Sequence, residues 1–176
     1  DWALAKRIAE RFDAYPELKA RPVYKYLLGR AAEGVRRPNR ARQAFGEAAQ
    51  GNGPYARRAM IALVDLGLLD KSLSPSRAQV LLKDNLSRWQ GGTIELETLR
   101  RLVQVDRTLG DWPDMLLTLG QLLRDFPKSE DAGPARRQAQ GLVAAYYKFA
   151  LDGKVPLSKL LVLHRRLIPL YRFDAG

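Results

Sequence analysis

The chain has 176 residues, with 30 lysines and arginines against 19 aspartates and glutamates for a formal charge of +11, and it has no cysteine. The missing thiols exclude disulfides, thiolate metal sites and cysteine nucleophiles, and no apolar run is long enough for a transmembrane helix. The positive charge favours acidic partners such as nucleic acid, anionic lipid or an acidic protein surface, but it is spread along the chain with no solid basic block.

The periodicity is helical almost everywhere. Over residues 2–12, Leu4, Ile8 and Phe12 fall four apart on one face, with Lys6, Arg7, Glu10 and Arg11 on the other. Pro16 and Pro22 bracket a loop or short turn. A second helix is expected over 23–35, ended by Gly34 and the Arg-Arg-Pro-Asn turn, since Pro38 cannot continue a helix. A third spans 40–49 and a fourth 54–69, with Ala59, Leu63 and Leu66 inward. Ser74 caps and Pro75 opens a fifth over 76–89. A sixth follows over 93–109, stopped by Gly110, and a seventh over 111–126, stopped by Pro127. The eighth covers 134–151 and the ninth 156–171. No segment alternates with the period of two that a strand requires. The fold expected is therefore all-α, either a bundle or a solenoid, and internal repeats decide between them.

Two helix pairs carry a resemblance. In PVYKYLLGRAAEGVRRPNRARQAFGEAAQ the first helix holds Leu28-Gly29 and the second holds Ala41, Phe45 and Ala48. Small residues let antiparallel helices approach closely, and the aromatic fills the gap beside them. This pattern resembles the tetratricopeptide repeat. The pair LETLRRLVQVDRTLGDWPDMLLTLGQLLRDFPK keeps Leu99, Leu102, Gly110, Leu119 and Pro127 in the same frame. It departs at Val103, Asp106 and Met115, where the repeat has a small residue, an aromatic and an alanine. The stretch from about Leu73 to Arg172 is also similar to large exported helical-repeat proteins of alphaproteobacteria. These resemblances imply a right-handed α-α superhelix of about four helix pairs, a single helical-repeat domain over 1–176 continuing in both directions in a longer chain, and a periplasmic location, with the cytoplasm as the alternative.

No catalytic constellation is visible. His164 is the only histidine, which excludes two-histidine sites within the chain, and beside Arg165 and Arg166 it reads as a surface or cap residue. The glycine-containing stretches GNGP and QGGT lack phosphate-loop spacing. Glu95 and Glu97 point apart on a helix and read as first-turn acids. Tyr146, Tyr147 and Phe149 with Arg136, Arg137 and Lys148 could stack and hold nucleic acid, but such a cluster more often packs a helix pair.

The remaining motif is written twice, as GPYARRAM from Gly53 and as GPARRQAQ from Gly133. An arginine pair beside the positive end of a helix dipole costs a few tenths to about 1 kcal/mol, so its repetition calls for a reason. If both open the first helices of successive pairs, Arg57, Arg58, Arg136 and Arg137 share an edge, and by the repeat frame Tyr26, Arg30, Arg100, Gln104 and Arg107 face the same groove. The expectation is a non-enzymatic interaction scaffold with no cofactor, no metal and no small-molecule substrate. Its basic groove would take a polypeptide, acidic or carboxylate-ended, within an envelope-associated assembly. Nucleic-acid binding is the alternative. Helical-repeat RNA readers repeat their base-reading positions, whereas Tyr26 and Arg100, or Arg30 and Gln104, do not repeat.

Overall fold

The structure, a computed structural model, describes residues 15–171 together with Arg7 and Arg11. The helix expected over 2–12 lies outside the described residues except at those two arginines, and so does the end of the chain from Phe173 to Gly176. Among the described residues all regular structure is helical: α1 Pro16–Lys19, α2 Pro22–Gly34, α3 Pro38–Ala49, α4 Pro54–Leu69, α5 Pro75–Arg88, α6 Gly92–Leu109, α7 Trp112–Asp125, α8 Ala132–Leu151 and α9 Leu157–Tyr171. The all-α class expected from the periodicity is what the chain adopts.

Proline sets most of the starts. Pro16, Pro22, Pro38, Pro54 and Pro75 are each the first residue of their helix. A first-turn N–H has no partner inside the helix, so losing it costs nothing, and the fixed φ is already helical. Ser74 adds a side-chain cap, its Oγ accepting from the Arg77 N–H at 3.3 Å, and Asp111 does the same for Asp114 at 3.3 Å.

Several ends share one device. Beyond α2, α6 and α8 the N–H of Arg37, Asp111 and Lys154 bonds back to the carbonyl of Ala32, Asp106 and Phe149 at 2.8, 2.9 and 2.8 Å. The residue before each donor is left-handed: Arg36 (φ 56°), Gly110 (φ 68°) and Gly153 (φ 72°). Glycine takes that conformation freely, whereas an L-residue such as Arg36 incurs roughly 1–2 kcal/mol.

Two compact units divide the chain, residues 1–98 and 99–176, the boundary falling within α6. In the first, α2 packs on α3 and α4, α3 on α4, and α4 on α5. Ala41, Phe45, Ala48, Ala59 and Ala62 form its core, with Tyr26, Ala32, Ala49, Leu63 and Leu66 packed around them. Gly29 lies directly against the Phe45 ring, and any Cβ there would overlap it. The Leu-Gly and Ala-Phe-Ala spacing thus does what elementary packing demands, drawing α2 and α3 close enough to bury a whole phenyl ring, worth about 2–3 kcal/mol.

In the second unit α7 packs on both α8 and α9, and α8 touches α9. Met115, Leu116, Leu119, Leu122 and Leu123 of α7 are buried, as are Ala135 and Ala139 of α8 and Leu160, Leu163 and Leu167 of α9. The Tyr171 hydroxyl donates to the Leu116 carbonyl at 2.6 Å, fixing the end of α9 to α7.

One boundary is corrected in a way that matters below. The second Gly-Pro does not open its helix, because α8 begins at Ala132, two residues before Pro134. Proline is tolerated at this third position because the first-turn N–H groups have no intrahelical acceptor. Gly53 stands outside α4 with φ 87°, whereas Gly133 is the second residue of α8. The two copies of the motif are therefore not equivalent.

Candidate functional site

The nine sequence-derived positions meet different fates. Tyr26 is half-buried in packing, its ring centroid 5.7 Å from those of both Phe45 and Tyr55. Arg30 is exposed and ion-paired with Glu33 at 2.6 Å, one turn along α2. Burial pushes the Glu33 carboxyl above its usual range, against the opposing pull of Arg30, and Asp65 adds to the rise.

Arg57 does not reach the surface. It is 5% exposed, and its Nη2 donates to the carbonyls of Ala49 and Gly51 at 3.3 and 3.2 Å. Those carbonyls end α3, where the helix dipole is negative and the backbone acceptors have no N–H partners. Burial pushes the guanidinium pKa below its ordinary value, Arg88 adds to that, and Asp84 opposes it. The expected place of Arg57 on a basic rim is thus withdrawn: it is a cap for the preceding helix, which sequence spacing could not reveal.

Arg58 is half-buried, its Nη2 donating to Thr93 Oγ1 at 3.2 Å, and its Nε is buried with no hydrogen-bond partner among the described residues. Nearby, Asn85 is buried and its Nδ2 donates to the Arg57 carbonyl at 3.4 Å and to Thr98 Oγ1 at 3.1 Å. This polar cluster stitches α4, α5 and α6 inside the first unit.

The other five positions lie in the second unit. Arg100, Gln104 and Arg107 recur at i, i+4 and i+7, which puts them on one face of α6; Gln104 and Arg107 are exposed there. Arg100 pairs with Asp131, the residue that precedes α8, so this face is tied to the start of the helix that carries Arg136 and Arg137, both exposed.

Of the aromatic candidates on α8, Tyr146 and Tyr147 are half-buried and Phe149 is exposed under the Lys154 ammonium, 5.4 Å from its ring centroid. The Tyr147 hydroxyl is hydrogen-bonded to Nδ1 of His164 on α9. The sole histidine is thus a surface residue with a tyrosine partner.

A feature that the motif reading missed is a groove of about 410 Å³ between α2 and α3. Leu28, Ala31 and Ala32 of α2, Val35 just past its end, and Ala44 of α3 make its floor. At one end Lys25 and Glu47 are ion-paired at 3.3 Å; at the other stand Arg37 and Arg40, both exposed. Neither arginine forms an ion pair with a carboxylate among the described residues. The signal available in the sequence was Leu28, Ala31, Ala32 and Val35 at i, i+3, i+4 and i+7, an apolar stripe whose alanines leave space that larger residues would fill.

Among the described residues no three His, Cys, Asp or Glu side chains converge as a metal site, and no helix is long and apolar enough to cross a membrane. No family model, curated protein or solved structure matches the chain.

Proposed function

We propose that this chain is a non-enzymatic binding module that receives an acidic polypeptide segment. The observation that carries the reading is the α2–α3 groove. Its apolar floor suits one or two aliphatic side chains, and the end beside the α2–α3 turn holds two arginines whose forks match carboxylates bidentately. The face of α6 with Arg107 and Gln104, together with Arg136 and Arg137 of α8, gives the second unit a cationic surface of its own. We read the helix pairs as tetratricopeptide-like repeats of a right-handed superhelix acting in an envelope-associated assembly. The packing of α2 on both α3 and α4, and of α7 on both α8 and α9, supports that reading within each unit taken alone.

The test selects displayed peptides on the intact protein and measures the winners by fluorescence anisotropy. Winners should combine an aliphatic anchor with flanking Asp or Glu. A combined Arg37→Glu and Arg40→Glu change should weaken them about tenfold or more, since several charge contacts act together where each alone is worth about 0–1 kcal/mol. Winners without acidic residues, or binding unchanged in the double variant, would overturn the proposal. A labelled single-stranded oligonucleotide serves as the comparison. Affinity for it that falls by orders of magnitude between low and moderate salt would favour the nucleic-acid reading instead.

A further inference from the structure

A slot of about 330 Å³ opens in the second unit, where Pro113 at the start of α7 and Tyr146 of α8 face one side of α9. That side carries Lys159, Val162, Leu163 and Arg166. At about 100° and about 1.5 Å per residue, Lys159 and Arg166 fall within about 20° of each other around the helix and stand about 10 Å apart along it. Val162 and Leu163 lie between them in height, one on each flank. The helix thus offers a cation, an aliphatic patch and a second cation in succession. Leu163 is buried, whereas Val162 is 61% exposed.

The charge in this slot has one sign. Among the described residues that line it there is no aspartate or glutamate, and residues 153–171 contain none. Lys159 and Arg166 are exposed, and neither forms an ion pair with a carboxylate among the described residues. A solvated cation alone means little. Two of them at the ends of an apolar concavity between helices have the composition of a small-ligand pocket, whose volumes start at about 300 Å³. A protein partner needs about 800 Å² of contact on its side of an interface, far more than one slot provides.

We infer that the slot binds a small aliphatic dicarboxylate, its methylene chain laid over Val162 and Tyr146 and its two carboxylates met by Lys159 and Arg166. The order of chemistry along α9 selects this occupant. A charge at one end only would leave one cation without a counter-charge, and a dianion with no apolar middle would leave the aliphatic patch in water. The planar fork of the arginine takes a carboxylate bidentately, and the lysine ammonium presents three donors that turn freely.

The test titrates the whole chain at low salt with suberate, succinate and octanoate, followed by amide chemical shifts. Suberate should bind with shifts centred on Tyr146, Val162 and Leu163, while succinate and octanoate should each be weaker by about threefold or more. Lys159→Gln and Arg166→Gln should each weaken suberate about two- to fivefold and together about tenfold, the scale of exposed charge contacts. Arg165→Gln removes the same charge about 100° around the helix from Arg166 and should change nothing. Val162→Asp, which sets an acid in the apolar middle, should abolish binding. All four side chains are exposed, so helicity and melting temperature should stay with the parent. The slot shares no residue with the α2–α3 groove, so the Arg37→Glu, Arg40→Glu variant should bind suberate like the parent. No saturable shift with suberate, octanoate or succinate binding as tightly as suberate, or an equal loss in Arg165→Gln overturns the inference. So does a polyglutamate peptide that binds more tightly than suberate and is lost in Val162→Asp, which would make the slot a contact for acidic polypeptide.

Discussion

The Arg57 guanidinium holds the carbonyls of Ala49 and Gly51 from a single nitrogen, at 3.3 and 3.2 Å, so the first turns of α4 cap the end of α3. Replacing it leaves two carbonyls with no charged donor and opens a buried space. Arg57→Ala should therefore lower stability by about 2–3 kcal/mol, as loss of charge-assisted hydrogen bonds and of the packed stem does. Arg136→Ala, at the matching place in the second copy of the motif but exposed, should stay within about 0.5 kcal/mol of the parent. Urea unfolding of the two variants provides the comparison, and equal effects would contradict the assignment of Arg57 as a cap.

Gly29 has no room for a methyl group, because a Cβ there would overlap the buried Phe45 ring. Gly29→Ala should cost about 1–3 kcal/mol through overpacking. The same substitution in a Phe45→Leu background should cost less by about 1 kcal/mol, since the two sites touch and their effects do not add. Melting curves of the two single variants and the double variant measure that coupling.

Asp70 gives a pH dependence of defined sign. Hydrogen bonds from Ser72 and Arg42 lower its carboxyl from 3.8 to about 2. A folded-state pKa below the unfolded one means stabilisation that is present above the unfolded value and is lost as pH falls through the window from about 4 to about 2. The melting temperature of Asp70→Asn should lie below that of the parent at pH 6 and converge on it towards pH 2. Glu33 acts with the opposite sign: its raised pKa means that the ionised form opposes folding, so Glu33→Gln should be neutral below the usual carboxylate pKa and stabilising above it.

Asp106 is fully buried at the place where the repeat frame would have an aromatic. The Thr118 hydroxyl lies 3.1 Å from its Oδ2 and 3.0 Å from the Asp114 carbonyl, able to donate to either. Asp106→Ala should destabilise the second unit by about 1–3 kcal/mol, as removal of one member of a buried hydrogen-bonded pair does. Thr118→Val should cost about 1 kcal/mol, and the double variant less than the sum. Amide hydrogen exchange along α7 reads the effect within that unit.

What the sequence determined by itself was local. The opening of helices at Pro54 and Pro75, the cap at Ser74 and the stop at Gly110 act on backbone groups within a few residues, so their chemistry was legible without knowledge of neighbours, whereas Pro16, Pro22 and Pro38, read as loop or stop signals, each open a helix. The packing of α2 against α3 could also be read from Gly29, Ala41, Phe45 and Ala48, because small residues and one aromatic at fixed spacing admit few arrangements. The fate of the doubled arginines could not be read. Ala-Arg-Arg follows Gly-Pro in both copies apart from one inserted tyrosine, yet Arg57 is buried on the carbonyls of α3 while Arg136 stays at the surface. Which outcome holds depends on whether a preceding helix ends within reach, a relation between segments distant in the chain. The same is true of the two open sites, the α2–α3 groove and the slot beside α9. Periodicity shows that a helix has an apolar stripe; only the packed structure decides which part of that stripe finds a neighbour and which is left for a partner.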